Sequence, residues 1–407
     1  MRSAFLDNMK VIYISYMAPA SDNIGGTSAL PYHLMVHRPD DVEVEVFTFN
    51  TNGLTAEKIA AVEKELRLKI NVLPMNRLAA WLLGLKGVMS LLVRMLLPYP
   101  PHYYLRLDRA TVAHIKAMRP DVVWIYGEEL TGISRQLSEI PQVHTGPDCE
   151  VLYYERLLLQ PWVGRIKRLR CHVMMRKFRR LAVHAPGCAR YHVVGEADCE
   201  TLRQVNPQVD ACFLRHPHYN YNAERKIKFA EPRIRLVLAG RNDHYMHADA
   251  VALIDELAAN VDLAEHYEFT FLGKGWEPMH ERLRCAGWQS RIIAFAPDYA
   301  AELCRHDVQL TPISVGTGTK GKVLDAITNG LLVIGTPFAL ENIAVRHGVE
   351  CLQYERACEV PALLRDIAND RRRHEAIAEA GRAAVLREHN RARASQALFG
   401  MFAAKGL

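Results

Sequence analysis

The stretch "DVQLTPISVGTGTKGKVLDAITNGLLVIGTP" (Asp307–Pro337) contains two apolar runs separated by a glycine-bearing loop and a helical pattern. "DVQLTPIS" reads as a strand ending near Ile313, and the loop after it holds Gly316 and Gly318. A helix begins near Lys320 in "KVLDAITNG", and "LLVIGTP" is again a strand. Strand, loop, helix and strand in sequence imply parallel strands joined by a right-handed crossover. The same alternation continues upstream in "RIRLVLAGRND" (Arg233–Asp243), the helical "ADAVALIDELAANV", and the strand–turn units "YEFTFLGKG" and "RIIAFAP". Near the N-terminus "KVIYISYM" (Lys10–Met17) precedes the loop "APASDNIGGTSALPYHLMVH", and "VEVEVFTFN", "RPDVVWIYG" and "PQVHTG" add further strands. Between the two halves "NYNAERKIKFAEPR" is polar, charged and closed by proline, and reads as a linker. The expectation is an α/β chain with two parallel sheets.

Its 407 residues suit two domains, and 49% hydrophobic with 24% charged residues is the composition of a water-soluble globular chain. The nine cysteines are scattered, with no CxxC pair, so neither a disulfide framework nor a zinc site is expected. A reducing cytoplasm is the simplest setting. "NMKVIYISYMAP" reads as a strand rather than a secretory signal. Charge interrupts every window long enough to span a bilayer.

Two segments stand apart. Residues 151–181 carry nine Lys or Arg against the single acid Glu155, a net +8 in a chain whose total is +6. Such a patch suits an anionic partner or, more simply, a solvated helix face. Residues 78–107, "LAAWLLGLKGVMSLLVRMLLPYPPHYYLRL", are apolar with three charges, all positive. They suit either core or a bilayer interface, and with 151–181 they offer a peripheral contact to an anionic membrane at its inner face.

Read from Gly316, "GTGTKGKV" is one residue short of a P-loop: Gly316, Gly321 and Lys322 fit, but Val323 replaces the hydroxyl that would ligate Mg²⁺. Without that pattern the loop still suits a phosphate. A helix N-terminus offers unpaired N–H groups and partial positive charge, glycines admit close approach, and Thr319, Lys320 and Lys322 add a hydroxyl and cations. The plainer alternative is a glycine-shaped turn. In "VHTGPDCEVLYYER", Asp148 follows a strand beside His144 and could act as a base, orient an acceptor, or cap the next helix. His216 and His218 lack a nearby third ligand for a metal.

"PISVGTGTKGKVLDAITNGLLVIGTPFALENI" resembles the donor-binding segment of family-4-type glycosyltransferases of the GT-B fold. "LVLAGRNDHYMHADAVALIDEL", "FTFLGKGWEPMHERL", "IIAFAPDYAAEL" and "RHDVQLTP" are similar to that family's preceding strands, and "NIGGTSALPYHL", "RPDVVWIYG" and "VVGEADCETLRQV" to its looser N-terminal signatures. The resemblance implies two Rossmann-like domains facing across a cleft. These would be an acceptor-side domain over 8–220, a donor domain over 221–388, and a C-terminal helix over 389–407 packing back on the first.

It further implies a nucleotide diphosphate sugar as donor, a glycan or lipid-linked acceptor, retention of configuration, and no cofactor. No metal is expected, since no Asp-x-Asp pair occurs, and no nucleic-acid partner. Gly240 and Arg241 would lie against the diphosphate, Gly273 and Lys274 would line the base and ribose pocket, and Gly318, Thr319 and Lys320 would meet the phosphates. Asp325 stands where the family's glutamate holds the ribose, and Gly25 and Gly26 match the first domain's glycine loop. Asp148, Arg241 and Lys320 are the catalytic candidates. The chain departs from the pattern at Thr317, where many members carry a glutamate, and lacks the lysine after the Gly-Arg turn. The alternatives are an epimerase or hydrolase acting on a nucleotide sugar, a catalytically idle binding protein, and, last, a P-loop NTPase.

Overall fold

The computed structural model describes residues 9–21, 27–184, 189–242 and 246–403. The chain divides into two compact units, one of residues 1–217 with 391–407 and one of residues 218–390.

The first unit holds a seven-stranded sheet. Its strands are β1 (Met9–Ser15), β2 (Val42–Thr48), β3 (Lys69–Val72), β4 (Val122–Tyr126), β5 (Gln142–Thr145), β6 (Ala189–Val193) and β7 (Asp210–Phe213). Their order is β3-β2-β1-β4-β5-β6-β7, every pair parallel, with Val11 opposite both Val44 and Val122. Both faces are covered, which explains why β1 and β4 are continuous apolar runs without alternation. Tyr13 and Trp124 belong to the core of one face, and Ile12, Ile14, Val123 and Ile125 to the other.

The last helix, Arg391–Ala403, completes the first of these cores. Phe399 and Phe402 lie 5.9 and 5.7 Å from the Trp124 ring, and Ser395 Oγ donates to the Leu34 carbonyl at 2.6 Å. Burying each phenylalanine contributes roughly 2–3 kcal/mol, so this helix is a structural part of the first unit.

The second unit holds β8 (Ile234–Ala239), β9 (Tyr267–Leu272), β10 (Gln289–Ile293), β11 (Val308–Thr311), β12 (Leu332–Gly335) and β13 (Leu352–Gln353). Their order is β10-β9-β8-β11-β12-β13, again all parallel. The chain winds outward from β8 in both directions, so right-handed crossovers place successive helices on opposite faces. Helix His247–Ala259 packs Ala250, Leu253 and Leu257 with Leu236, Leu238 and Phe269. Helix Gly321–Thr328 packs Val323, Leu324 and Ile327 with Val237, Ala239 and Val333 on the other face. The fold class expected from Asp307–Pro337 is therefore the one found, in both units.

Two details differ from the sequence reading. Strand β10 stops at Ile293 rather than running through "RIIAFAP", and Phe295 beyond it is 68% exposed. Residues 78–107 form two short helices, Arg77–Gly84 and Gly87–Leu96, and a 3₁₀ turn at Pro101–Tyr104. The break falls at Leu85 and Lys86, which are extended, and at Gly87, whose φ of 61° ordinary side chains avoid. Among the described residues no helix is long and apolar enough to cross a membrane.

Candidate functional site

In an open parallel sheet the strand order reverses at one point, and ligands bind beyond the carboxyl ends of the strands there. In the second unit that point lies between β8 and β11. Beyond β8, Gly240 has φ 121°, and beyond β9, Gly273 has φ 143°. The two turns interlock: Gly240 N–H donates to the Leu272 carbonyl at 2.8 Å, and a Cβ on Gly273 would stand 2.1 Å from the Gly240 oxygen. The indole of buried Trp276 donates to that same oxygen at 2.8 Å. Asn242 closes the platform, its amide donating to Lys274 O at 2.9 Å and its side chain to Gly275 O at 2.7 Å. Arg241 and Lys274 extend from this platform as exposed side chains.

Beyond β11 the loop 312–320 leads into helix Gly321–Thr328, with Gly316 at φ 152° and Gly318 at φ 59°. Lys320 is the N-cap, and no side chain caps the helix. Its ammonium turns into its own loop, donating to the carbonyls of Thr317 at 3.0 Å and Gly318 at 3.2 Å, with Glu341 at 3.8 Å. Asn342 fixes the same loop by donating to Gly318 O at 2.9 Å.

The cation brought to the Gly240 turn is Lys322. Its Nζ lies 2.6 Å from where a Gly240 Cβ would stand. The sequence reading chose Lys320 for this charge; the difference follows from helix geometry, because side chains in the first turn lean toward the N-terminus and so toward the strand ends. Asp325, three residues after Lys322, is buried, and burial pushes its carboxyl up to about 7. Val323 is fully buried core, which accounts for its place in the loop–helix junction without any metal-ligand role.

The first unit's switch point lies between β1 and β4. Gly25 and Gly26, expected near it, lie outside the described residues. Beyond β4 come Glu128 and Glu129, and beyond β5 comes Asp148, which is exposed. Asp148 does not cap the following helix. The N-cap is Cys149, and its amide is taken by Asp198 from helix Glu196–Val205, at 2.7 Å.

Asp148 instead belongs to an acidic edge. Burial first, then Glu129, Asp148 and Asp198, push the Glu150 carboxyl up to about 8. Burial and then Glu150, Glu129 and Asp148 raise Glu128 well above the usual carboxylate range. The signal for this edge in the sequence is the pair "EE" directly after the glycine that follows β4.

His144 is buried beside Gln142 Oε1 at 3.1 Å, and burial lowers its pKa to about 3, so it is a neutral structural residue. His216 and His218 turn their Nδ1 atoms to the neighbouring carbonyls of Pro217 and Tyr219. Among the described residues no group of three or more His, Cys, Asp or Glu could hold a metal ion.

A search of curated protein sequences finds no match. Residues 250–399 match the family model described as glycosyl transferase-like. Among solved structures, HepE from Anabaena in complex with UDP and glucose superposes with TM-score 0.63 at 12% identity, covering 97% of this chain and 100% of that one. Sucrose-phosphate synthase from Thermosynechococcus elongatus gives TM-score 0.64 at 13% identity, covering 97% and 98%. WaaG, a glycosyltransferase involved in lipopolysaccharide biosynthesis, gives 0.61 at 13%, covering 97% and 100%. At such identities these structures speak for the fold alone, and the family match is confined to residues 250–399. The chain has the GT-B fold, and its residues 250–399 are similar to the glycosyl transferase-like family.

Proposed function

We propose that the protein transfers a hexosyl group from a nucleotide diphosphate sugar to a hydroxyl of a glycan or lipid-linked acceptor, with retention of configuration. The observation that carries this reading is the convergence of the Gly240 turn, the Lys322 ammonium and the Gly316–Lys320 loop at the switch point of the second sheet. The diphosphate rests on the Gly240 turn, where the absence of a side chain leaves room. Lys322 and Arg241 supply positive charge, and the start of helix Gly321–Thr328 supplies amides and its dipole. These groups stabilise the negative charge that grows on the leaving diphosphate. Lys320 holds the loop in shape through its two carbonyl contacts.

Asp325 accepts the ribose hydroxyls, which suits a carboxyl buried at the end of a helix turn. A uridine nucleotide is the favoured donor base, since HepE of the same fold was solved with UDP-glucose. The acceptor hydroxyl belongs at the acidic edge of the first unit, where Asp148 orients it. The leaving phosphate itself takes the proton in a retaining reaction.

A second surface of the first unit supports a peripheral contact with an anionic membrane. Leu78, Trp81, Val88, Met89, Leu92 and Leu96 are all at least half exposed. Helix Arg165–Val183 carries the basic cluster beside them, with Lys177 donating to the Arg94 carbonyl. Apolar side chains next to Lys and Arg are the composition of an interfacial contact.

A thermal-shift screen of UDP-, GDP- and ADP-sugars tests the donor reading. A ligand that binds only the native state adds about 2.7 kcal/mol at a hundred times its Kd. A shift for one nucleotide family is expected; no shift for any of them contradicts the reading.

A further inference from the structure

A cavity of about 290 Å³ opens at the carboxyl ends of β11, β12 and β13 in the second unit. Its polar lining comes from Asp249, Ser314, Thr336, Tyr354 and Glu355, and its apolar wall includes Phe338. Asp249 and Tyr354 lie on the face covered by helix His247–Ala259, whereas Asp325 lies on the face covered by helix Gly321–Thr328. The cavity and the ribose-side carboxyl are thus separated by the sheet.

Its interior is set up to receive hydrogen bonds. The Tyr354 hydroxyl is buried, the residue being 4% exposed, and has no hydrogen-bond partner among the described residues. An unsatisfied buried hydroxyl costs about 1–3 kcal/mol, so it marks a place where a partner belongs. Ser314 Oγ donates to Asp249 Oδ2 at 2.5 Å and holds that carboxyl in place.

The chemistry of the lining narrows the ligand. Among the described residues no Lys, Arg or His lines the cavity, and two carboxylates do, which argues against a phosphate. The described lining offers two carboxylates, one of them engaged by Ser314, which is short of a three-ligand metal set. Carboxylates accept from hydroxyls, a tyrosine hydroxyl donates to one, and an aromatic ring covers the C–H face of a saturated ring. The volume is at the lower end of small-molecule pockets, about 300 Å³, which suits one monosaccharide.

We propose that this cavity binds a single neutral pyranose ring, independently of the nucleotide. Its source is either a free sugar or one unit of a glycan chain. The proposal rests on the cavity alone, so it stands or falls separately from the donor site.

Ligand-observed NMR and calorimetry on the full chain test it. The probes are the methyl α-D-pyranosides of glucose, galactose and mannose, and a linear trisaccharide of whichever binds, with and without saturating UDP. At least one glycoside is expected to bind saturably, at roughly millimolar Kd, and equally well with UDP present. Tighter binding of the trisaccharide identifies a glycan chain as the source, and equal or weaker binding identifies the single sugar. Tyr354→Phe should weaken binding by roughly three- to tenfold. Ala252→Trp should abolish it, because Ala252 lies at the cavity on the exposed side of its helix, where a large side chain fills the opening without entering the core. Failure of every glycoside to bind overturns the proposal. So does binding that UDP displaces and Ala252→Trp leaves intact, since the sugar would then occupy the donor site.

Discussion

The two sheets share one winding plan and differ at their switch points. The first unit's edge collects Glu128, Glu129, Asp148 and Glu150, a set in which burial and mutual repulsion raise the Glu128 and Glu150 carboxyls above the usual carboxylate range. The second unit's edge carries no acid at the described residues of its first turn, 240–242. It offers bare glycine backbone, a helix start and the Lys322 ammonium. One edge therefore suits hydroxyl groups and the other suits phosphate. The same topology has been given opposite electrostatics by a few residues after each strand, which is where a doubly wound sheet leaves sequence free to vary.

The sharpest way to break the second edge is Gly273→Ala. Its Cβ would meet the Gly240 carbonyl at 2.1 Å, at a φ of 143° that alanine avoids. A loss of roughly 3 kcal/mol or more in urea unfolding is expected, and a stability within 1 kcal/mol of wild type would show that the platform is not tight. Asp148→Asn tests the first edge: with the acceptor no longer oriented, turnover should fall on the order of a hundredfold while donor affinity stays constant. Unchanged turnover would remove Asp148 from the site.

Glu150→Gln probes the acidity itself. The folded carboxyl is raised from 4.5 to about 8, so the stability linked to its proton is complete below about 4.5 and is lost as pH rises through 8. The glutamine variant should gain on the order of 1.4 kcal/mol over wild type for each pH unit between pH 5 and pH 8. Parallel pH profiles would contradict the assignment. The smallest effect is at the surface: Leu96→Ser should lower affinity for anionic vesicles by roughly fivefold, about 1 kcal/mol, in a salt-sensitive way. Equal affinity of variant and wild type would count against contact through this surface, and equal binding to neutral vesicles against a role for the basic cluster.

Much of this was legible in the sequence. Asp307–Pro337 reveals its strand, loop and helix because apolar periodicity and glycine placement are local signals. What was not legible depended on distance along the chain. Which lysine reaches the Gly240 turn is decided by where the helix starts, two residues' difference between Lys320 and Lys322. Asp148 has the right residue type to cap a helix, yet the N-cap falls one residue later, at Cys149, whose amide donates to Asp198 from a distant helix. The acidic edge exists only because β4 and β5 are neighbours, which brings Glu128 beside Glu150. The buried, neutral state of His144 likewise follows from its packing and not from its neighbours in sequence.

The central claim is that the second edge binds a nucleotide diphosphate through Lys322. Calorimetric titration of UDP into the wild-type chain and into Lys322→Ala tests it most directly. The account predicts saturable binding to wild type that weakens more than tenfold in the variant, the loss of a charge-assisted contact of roughly 1.5–3 kcal/mol. Equal affinity in the two proteins would contradict it.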